Sequence, residues 1–211
     1  MVVIVKTFVY VDGFNFYYGA VKNTPYKWVN LDQLCQLILP KNTIERIKYF
    51  TAHVTPRPRD PNQHIRQQTY LRALATIPHL EIILGHFLSH IRRMPLAYPP
   101  SVGAQYAEVL YTEEKGSDVN LATHLLMDGF RGRYKVAVVV TNDSDLAEPM
   151  RIVRQELGLD VIILNPHPKP SAELNRSATF IRPIRKGPLQ ASQFPDMMTD
   201  TTGVFSKPAG W

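Results

Sequence analysis

The stretch that most constrains this chain runs from Val136 to Leu164. An unbroken apolar run, Val136 to Val140, stops at Thr141-Asn142-Asp143-Ser144-Asp145. A helical pattern follows, with Leu146, Met150, Val153 and Leu157 on one stripe, and Gly158 ends it before a second apolar run, Val161 to Leu164. Strands that are apolar throughout, rather than in alternation, are buried on both faces. A strand–turn–helix–strand unit of this kind forms a right-handed parallel crossover. The crevice outside the carboxyl ends of such strands is where open α/β sheets bind ligands, and Asp143 and Asp145 stand at that end.

The rest of the chain extends the same scheme. Val2 to Val11 predicts a first strand, closed by Asp12-Gly13, after which Phe14 to Tyr18 starts a short helix capped from Asp12 or Gly13. Leu31, Leu34, Cys35 and Ile38 recur at helical spacing behind Asn30 as cap, and Pro40 stops them. Arg46 to Val54 reads as a second strand, and Pro56, Pro58 and Pro61 as a rigid connection. The helix from Asn62 turns Leu71, Leu74 and Ala75 inward and Gln67, Gln68 and Arg72 outward. Leu80 to Leu88 is a third strand, interrupted or ended near Gly85. Lys115 to Phe130 predicts a helix with Val119, Ala122, Leu125 and Leu126 inward; Ser171 to Arg176 is a short helix and Ala178 to Ile184 a last strand. The expectation is an α/β layered fold with a mainly parallel central sheet flanked by helices, in a domain spanning residues 1–185. Residues 89–113, with Pro95, Pro99 and Pro100 and the alternating segment Tyr106 to Tyr111, read as a long inserted excursion with a hairpin. Loops of that length in a compact domain are functional or disordered. Residues 186–211, rich in Gly, Pro, Ser, Thr and Met, predict an irregular tail, with Phe194, Phe205 and Trp211 available to dock on the body or on a neighbour; a homo-oligomer is left open.

Composition narrows the partners. A formal net charge of +6 and a pI of about 9.4 are compatible with a polyanion. The single cysteine, Cys35, excludes an internal disulfide and a thiolate zinc site and reads as a core residue. No apolar run approaches the ~20 residues that span a bilayer, and the opening MVVIVKTFVYVDG lacks a basic leader and reads as a strand. A cytoplasmic protein without membrane contact is the expectation. No G-x-G-x-x-G or Walker A pattern is present, so dinucleotide and P-loop binding lose their usual support.

Four aspartates fall at the expected ligand edge. Asp12 ends the first strand, Asp143 and Asp145 follow the Val136–Val140 strand, and Asp118 precedes Leu121, Ala122 and Leu125 by helical steps, which puts it on the inward side of its helix. Each has an ordinary alternative as a turn residue or helix cap. Pro149, however, belongs in a first helical turn, which leaves Asp143 and Asp145 competing for one cap. Clustered carboxylates repel, so they take up protons or bind a cation. Oxygen donors without thiolates or paired histidines select magnesium or manganese, and such a site suits phosphodiester hydrolysis, in which the metal activates water.

At these same residues the chain resembles a known family. Val9-Tyr10-Val11-Asp12-Gly13-Phe14-Asn15, Glu114-Lys115-Gly116-Ser117-Asp118-Val119-Asn120-Leu121-Ala122 and Val139-Val140-Thr141-Asn142-Asp143-Ser144-Asp145 are similar, in order and spacing, to the three signature blocks of NYN domains, PIN-like nucleases that include the LabA-like proteins. The resemblance implies a PIN-like sheet and a magnesium- or manganese-dependent ribonuclease, an endonuclease in preference to an exonuclease, acting on RNA. It carries catalytic and metal-binding roles onto Asp12, Asp118, Asp143 and Asp145, with Asn15, Thr141, Asn142 and Ser144 in support. One position departs: many relatives carry an acidic residue in the helix where this chain has His124, which by itself reads as a partly exposed helix residue. Lys115, Arg57, Arg59, Arg66, Arg92 and Arg93 are candidate phosphate contacts, together with Lys6, His64 and His90. Tyr17, Tyr18, Tyr98 and Tyr106 are candidates for base stacking. Two rivals stand beside the nuclease: a non-catalytic RNA-binding or regulatory module, and a metal-dependent phosphatase on small phosphates.

Overall fold

The computed structural model describes residues 5–211; the expected strand start at Val2 lies outside them. In chain order come β1 (Lys6–Asp12), α1 (Gly13–Phe16) continued by a π-helical turn (Tyr17–Val21), α2 (Leu31–Ile38), β2 (Thr43–Thr51), α3 (Gln63–Leu74) and β3 (Leu80–Leu84). Then follow β4 (His86–Pro95), β5 (Tyr106–Lys115), α4 (Ser117–Phe130), β6 (Val136–Val140), a 3-10 turn (Ser144–Leu146), α5 (Ala147–Gln155) and β7 (Asp160–Asn165). The chain closes with α6 (Ala172–Ser177), β8 (Phe180–Pro183), α7 (Lys186–Ala191), β9 (Met197–Asp200) and β10 (Gly203–Ser206).

Six strands form one parallel sheet in the order β3-β2-β1-β6-β7-β8. Its strands lack polar alternation because both faces are covered. Val9, Val11, Val138 and Leu164 pack with α2 and α3 on one face; Phe8, Tyr10, Val139 and Ile163 pack with α4, α5 and α6 on the other. From β1 the order runs outward through β2 and β3, and from β6 through β7 and β8 in the opposite direction. The boundary between β1 and β6 is therefore the topological switch point, where the connections diverge and a crevice is left at the carboxyl ends. Asp12 and the Thr141–Asp145 segment both lie there.

Several boundaries shift from the sequence reading. The second strand runs from Thr43 to Thr51 and the third ends at Leu84, so that Gly85 separates it from β4. The apolar stripe of α3 is carried by Tyr70, Ala73 and Leu74 and continued by Ile77, the i, i+3, i+4, i+7 pattern, while Ala75 faces out. Helix α4 starts at Ser117, with Lys115 still in β5; Val119 is 70% exposed, and Leu121 and Leu125 point inward.

Two stretches are more ordered than composition suggested. Residues 89–113 belong to an antiparallel hairpin whose register runs from His86↔Lys115 to Pro95↔Tyr106. Residues 186–211, expected to be irregular, form α7 and the β9–β10 hairpin. The aromatic residues account for the difference: Phe194 and Phe205 are buried, Phe194 and Trp211 pack on Trp28, and the Trp28 indole donates to the Pro195 carbonyl at 2.9 Å. Arg72 of α3 holds the hairpin with two hydrogen bonds to Asp200, at 2.7 and 2.8 Å, and stacks over Phe205. These residues dock on the body. Among the described residues no helix is long and apolar enough to cross a membrane.

Candidate active site

Asp12 is the most constrained acid of the site. It ends β1 with an extended backbone, and its Oδ1 accepts from the Asn15 amide at 2.9 Å, capping α1. Its Oδ2 accepts from the Thr141 hydroxyl at 3.1 Å, and Thr141 Oγ1 in turn accepts from the Asp143 amide at 3.1 Å. Asn15 Oδ1 accepts from the Asn142 amide at 2.9 Å, and Asn142 Oδ1 accepts from the Ser171 amide at 2.8 Å. Three of the four expected supporting residues, Asn15, Thr141 and Asn142, thus tie the end of β1 to the loop after β6, and that loop to the start of α6. Asp12 is 5% exposed, and burial, with the charges of Asp118 and Asp143, pushes its carboxyl up to about 6 against the hydrogen bonds that favour the anion.

Asp12, Asp118 and Asp143 line one cleft of about 380 Å³. Asp118 is supplied by the first turn of α4, where a negative charge complements the helix dipole. Burial, followed by the charges of Asp143, Glu114 and Asp145, raises its carboxyl above the usual range. Asp145 is exposed and borders a neighbouring depression with Ser144, Glu148 and Glu173; its charge reaches Asp118 although its side chain does not line the cleft. Asp143 accepts from the Asp145 amide at 3.0 Å, which closes the 3-10 turn that Ser144 opens.

Three further cleft residues escaped the sequence reading. Glu114 lies on the wall and accepts from the Ser117 amide and hydroxyl at 3.1 and 2.7 Å, so it caps α4. Its signal was the Glu-x-x-Ser spacing before the helix, obscured by starting that helix at Lys115. Phe87, from the base of β4, meets Phe14 edge to face at 5.7 Å across the cleft, and His167 lies beyond the end of β7. Nothing in their local sequence singles them out; their placement depends on the tertiary fold. Because Phe87 and Glu114 belong to the hairpin, replacing Arg92–Tyr106 by a glycine bridge is expected to leave the melting temperature within a few degrees while altering RNA affinity or cleavage pattern. A filter-binding titration and a cleavage ladder check this, and an unchanged ladder would assign the hairpin to another task.

His124 stands away from the carboxylates. Its Nδ1 lies 3.0 Å from Lys48 Nζ and its ring packs edge to face on Phe50. Lys48, itself buried, bonds Asp128 at 2.6 Å, and Asp128 also accepts from the Tyr10 hydroxyl at 2.8 Å and from Arg133 at 2.9 Å. Burial and Lys48 lower the His124 pKa, which keeps the ring neutral near pH 7. Burial opposes the Asp128 charge, but Lys48, Tyr10 and Arg133 together hold its carboxyl below the usual range.

The candidate phosphate contacts separate. Arg57 lines the cleft, and Arg66 lines an adjoining cavity, paired with Asp60. Arg59 is exposed. Arg92 and Arg93 lie over Tyr111 and Tyr106 on the hairpin, where His90 also packs on Tyr111, and Tyr98 is fully in solvent. Lys115 pairs with Glu113 at the end of β5, and so does not open the helix as expected. Lys6 pairs with Glu45 at the start of β1, the end of the sheet away from the aspartates. His64 lies on α3 with its Nδ1 buried and unpartnered among the described residues.

Comparison with known proteins bears on the family and the fold. Residues 6–184 match the family model for the NYN domain. The chain is 29% identical over 236 residues to 6-hydroxy-3-succinoylpyridine 3-monooxygenase HspA of Pseudomonas putida, an alignment covering 98% of this chain and 75% of that protein. Its fold is similar to a crystal structure of a protein of unknown function from Vibrio parahaemolyticus, with a TM-score of 0.56 and 16% identity, covering 87% of this chain and 94% of the other.

Proposed function

The chain belongs to the NYN domain family of PIN-like nucleases, and from that premise we propose that it is a metal-dependent ribonuclease hydrolysing RNA in the cleft walled by Asp12, Asp118 and Asp143. The observation that supports this reading best is the convergence of three acids from three separate segments at the switch point of the sheet, one of them buried and pushed up to about 6.

The donor set is all oxygen and its charges repel, which fits a hard divalent cation. Among the described residues no three His, Cys, Asp or Glu side chains lie close enough to enclose a metal ion as they stand. Asp12, Asp118 and Asp143 would therefore hold magnesium or manganese partly through water, which magnesium retains readily. When bound, the ion supplies an activated water and neutralises charge on the phosphoryl oxygens. Asp12 acts as the fixed member, its orientation set by the Asn15 amide and the Thr141 hydroxyl. Asp118, less buried and with a raised pKa, accepts a proton from the attacking water. Arg57 on the wall meets the phosphate, and the net charge of +6 draws RNA toward an otherwise acidic site.

A fluorescent RNA pool incubated with millimolar manganese tests the proposal. Wild type is expected to cleave it, with cleavage lost in chelator and in Asp118→Asn. Cleavage at the wild-type rate by Asp118→Asn would make Asp118 a helix-start residue and nothing more. A second reading, oxygenation of a small heteroaromatic compound, is favoured by the likeness to a protein named as a pyridine monooxygenase. It requires dioxygen uptake with a hydroxypyridine and a reductant, which an oxygen electrode measures without RNA.

A further inference from the structure

Beside the acidic cleft lies a second cavity of about 90 Å³, which shares Phe14, Tyr18, Val54 and Gln63 with it. Its walls are rings: Phe16, Tyr17, Tyr49, Tyr70 and Trp211 join the shared Phe14 and Tyr18. Trp211 is set there by contacts with Tyr70 at 5.5 Å and Trp28 at 6.4 Å.

One polar group in this lining is conspicuous. Four tyrosines are buried in the protein. Tyr10 donates to Asp128, Tyr70 to the Val29 carbonyl and Tyr134 to the Leu125 carbonyl. Tyr49, 5% exposed, has no such partner among the described residues, and it lines the cavity. The hydroxyl opens on the cavity rather than being sealed in the core, so it is free to donate to a ligand acceptor. The chain also keeps room beside it: a Cβ built on Gly13 would lie 2.8 Å from the Tyr49 hydroxyl oxygen, so any larger residue there would push the ring. Of the other polar groups in the lining, Gln67 bonds the Val54 amide and the Ala52 carbonyl, Gln63 bonds the Thr55 carbonyl, and Arg66 pairs with Asp60.

We propose that this cavity is a subsite for a single six-membered heteroaromatic ring, and that it takes the pyrimidine base of the nucleotide whose phosphate occupies the acidic cleft. The inference rests on the ribonuclease reading for the identity of the ligand, and on the cavity alone for its shape. Aromatic walls stack a flat ring. A pyrimidine carbonyl accepts from Tyr49. Size sets an upper limit: at about 90 Å³ the cavity is smaller than the roughly 150 Å³ of an engineered cavity that admits benzene, so it seats a single ring only in part, entered from the side whose residues it shares with the cleft, and has no room for a fused purine.

Equilibrium binding in chelator tests this without catalysis, with the intrinsic fluorescence of Trp211 in the wall as the signal. Uridine 3′-monophosphate is expected to bind about tenfold or more tighter than adenosine 3′-monophosphate, and free uracil should displace it. Tyr49→Phe, which removes only the hydroxyl, should weaken the uridine nucleotide by about tenfold and leave ribose 5-phosphate unchanged. Equal affinity for the two nucleotides, no displacement by uracil, or no effect of Tyr49→Phe would each overturn the subsite. RNA cleavage without pyrimidine preference removes the subsite and leaves the ribonuclease. Tight uridine nucleotide binding with no cleavage under any divalent metal removes the ribonuclease and leaves the ring site.

Discussion

Asp12→Asn is expected to melt above the wild type at pH 7.5 in chelator, by on the order of 5 °C, while losing RNA cleavage by about a hundredfold or more. The sign follows from the direction of the shift. A carboxyl raised from 3.8 to about 6 binds its proton more tightly folded than unfolded. The folded state therefore holds more protons between those values, and stability falls as pH rises through them. Above about pH 6 the charged Asp12 costs on the order of 3 kcal/mol. Asparagine removes the charge; its oxygen can keep the bond from the Asn15 amide, while its amide nitrogen, in place of Oδ2, can donate to the Thr141 hydroxyl oxygen. The two melting curves should converge near pH 4, where both side chains are neutral. Added manganese should raise the wild type more than the variant. If Asp12→Asn melts below the wild type at pH 7.5, the capping of α1 outweighs the crowding of charge, and the shared acidic site loses its main support.

Lys48→Met is the second large effect, and it acts on stability. Lys48 and Asp128 form an ion pair with side chains 6% and 2% exposed. Removing one member of a buried pair leaves an uncompensated charge, typically at a cost of about 3–5 kcal/mol. Arg133 and Tyr10 still face Asp128, which puts the expected loss toward the lower figure. The loss should shrink on acidification, because Asp128 deprived of Lys48 takes up a proton that the wild type holds off until lower pH. Pairing Lys48→Met with Asp128→Asn keeps an acceptor for Tyr10 and should recover much of the stability. Urea titrations at pH 7.5 and pH 4.5 measure both, and a neutral Lys48→Met at pH 7.5 would show that Arg133 alone balances Asp128.

The parallel sheet was legible because its strands advertise double-sided burial. The runs Val136–Val140 and Val161–Leu164 admit no solvent-facing register, so the crossover and the active edge followed from them. Asp12, Asp118 and Asp143 could be placed at that edge because each sits at the end of a periodic segment. Asp145 could not be separated from Asp143 in advance: which of two neighbouring acids faces the cleft is decided by the 3-10 turn that Asp143 caps. His124 read as a partly exposed helix residue, and it is one; what could not be read is its partner, because Lys48 is 76 residues away and a lysine in a strand gives no warning that it will be buried. The β9–β10 hairpin was hidden for a different reason. Its strands are four residues each, too short for periodicity to register, and their order depends on Arg72 and Trp28 far back in the chain.

The hairpin of β4 and β5 is held to the body at its base by two glycines meeting back to back. A Cβ built on Gly85 would lie 2.5 Å from the Lys115 carbonyl oxygen, and one built on Gly116 would lie 3.7 Å from the Gly85 Cα; Gly116 also needs a φ of 99°, which favours glycine. The joint is thus a clasp in which the Glu114 carboxylate and the Lys115 carbonyl close on Gly85, and it fixes the angle at which the arm leaves the sheet. Everything beyond Phe87 and Glu114 is cantilevered from that point. The tip around Pro99–Gly103 lies far along the arm from the aspartates, whereas one methyl group at Gly85 would meet the Lys115 carbonyl oxygen at 2.5 Å and force the joint itself to shift.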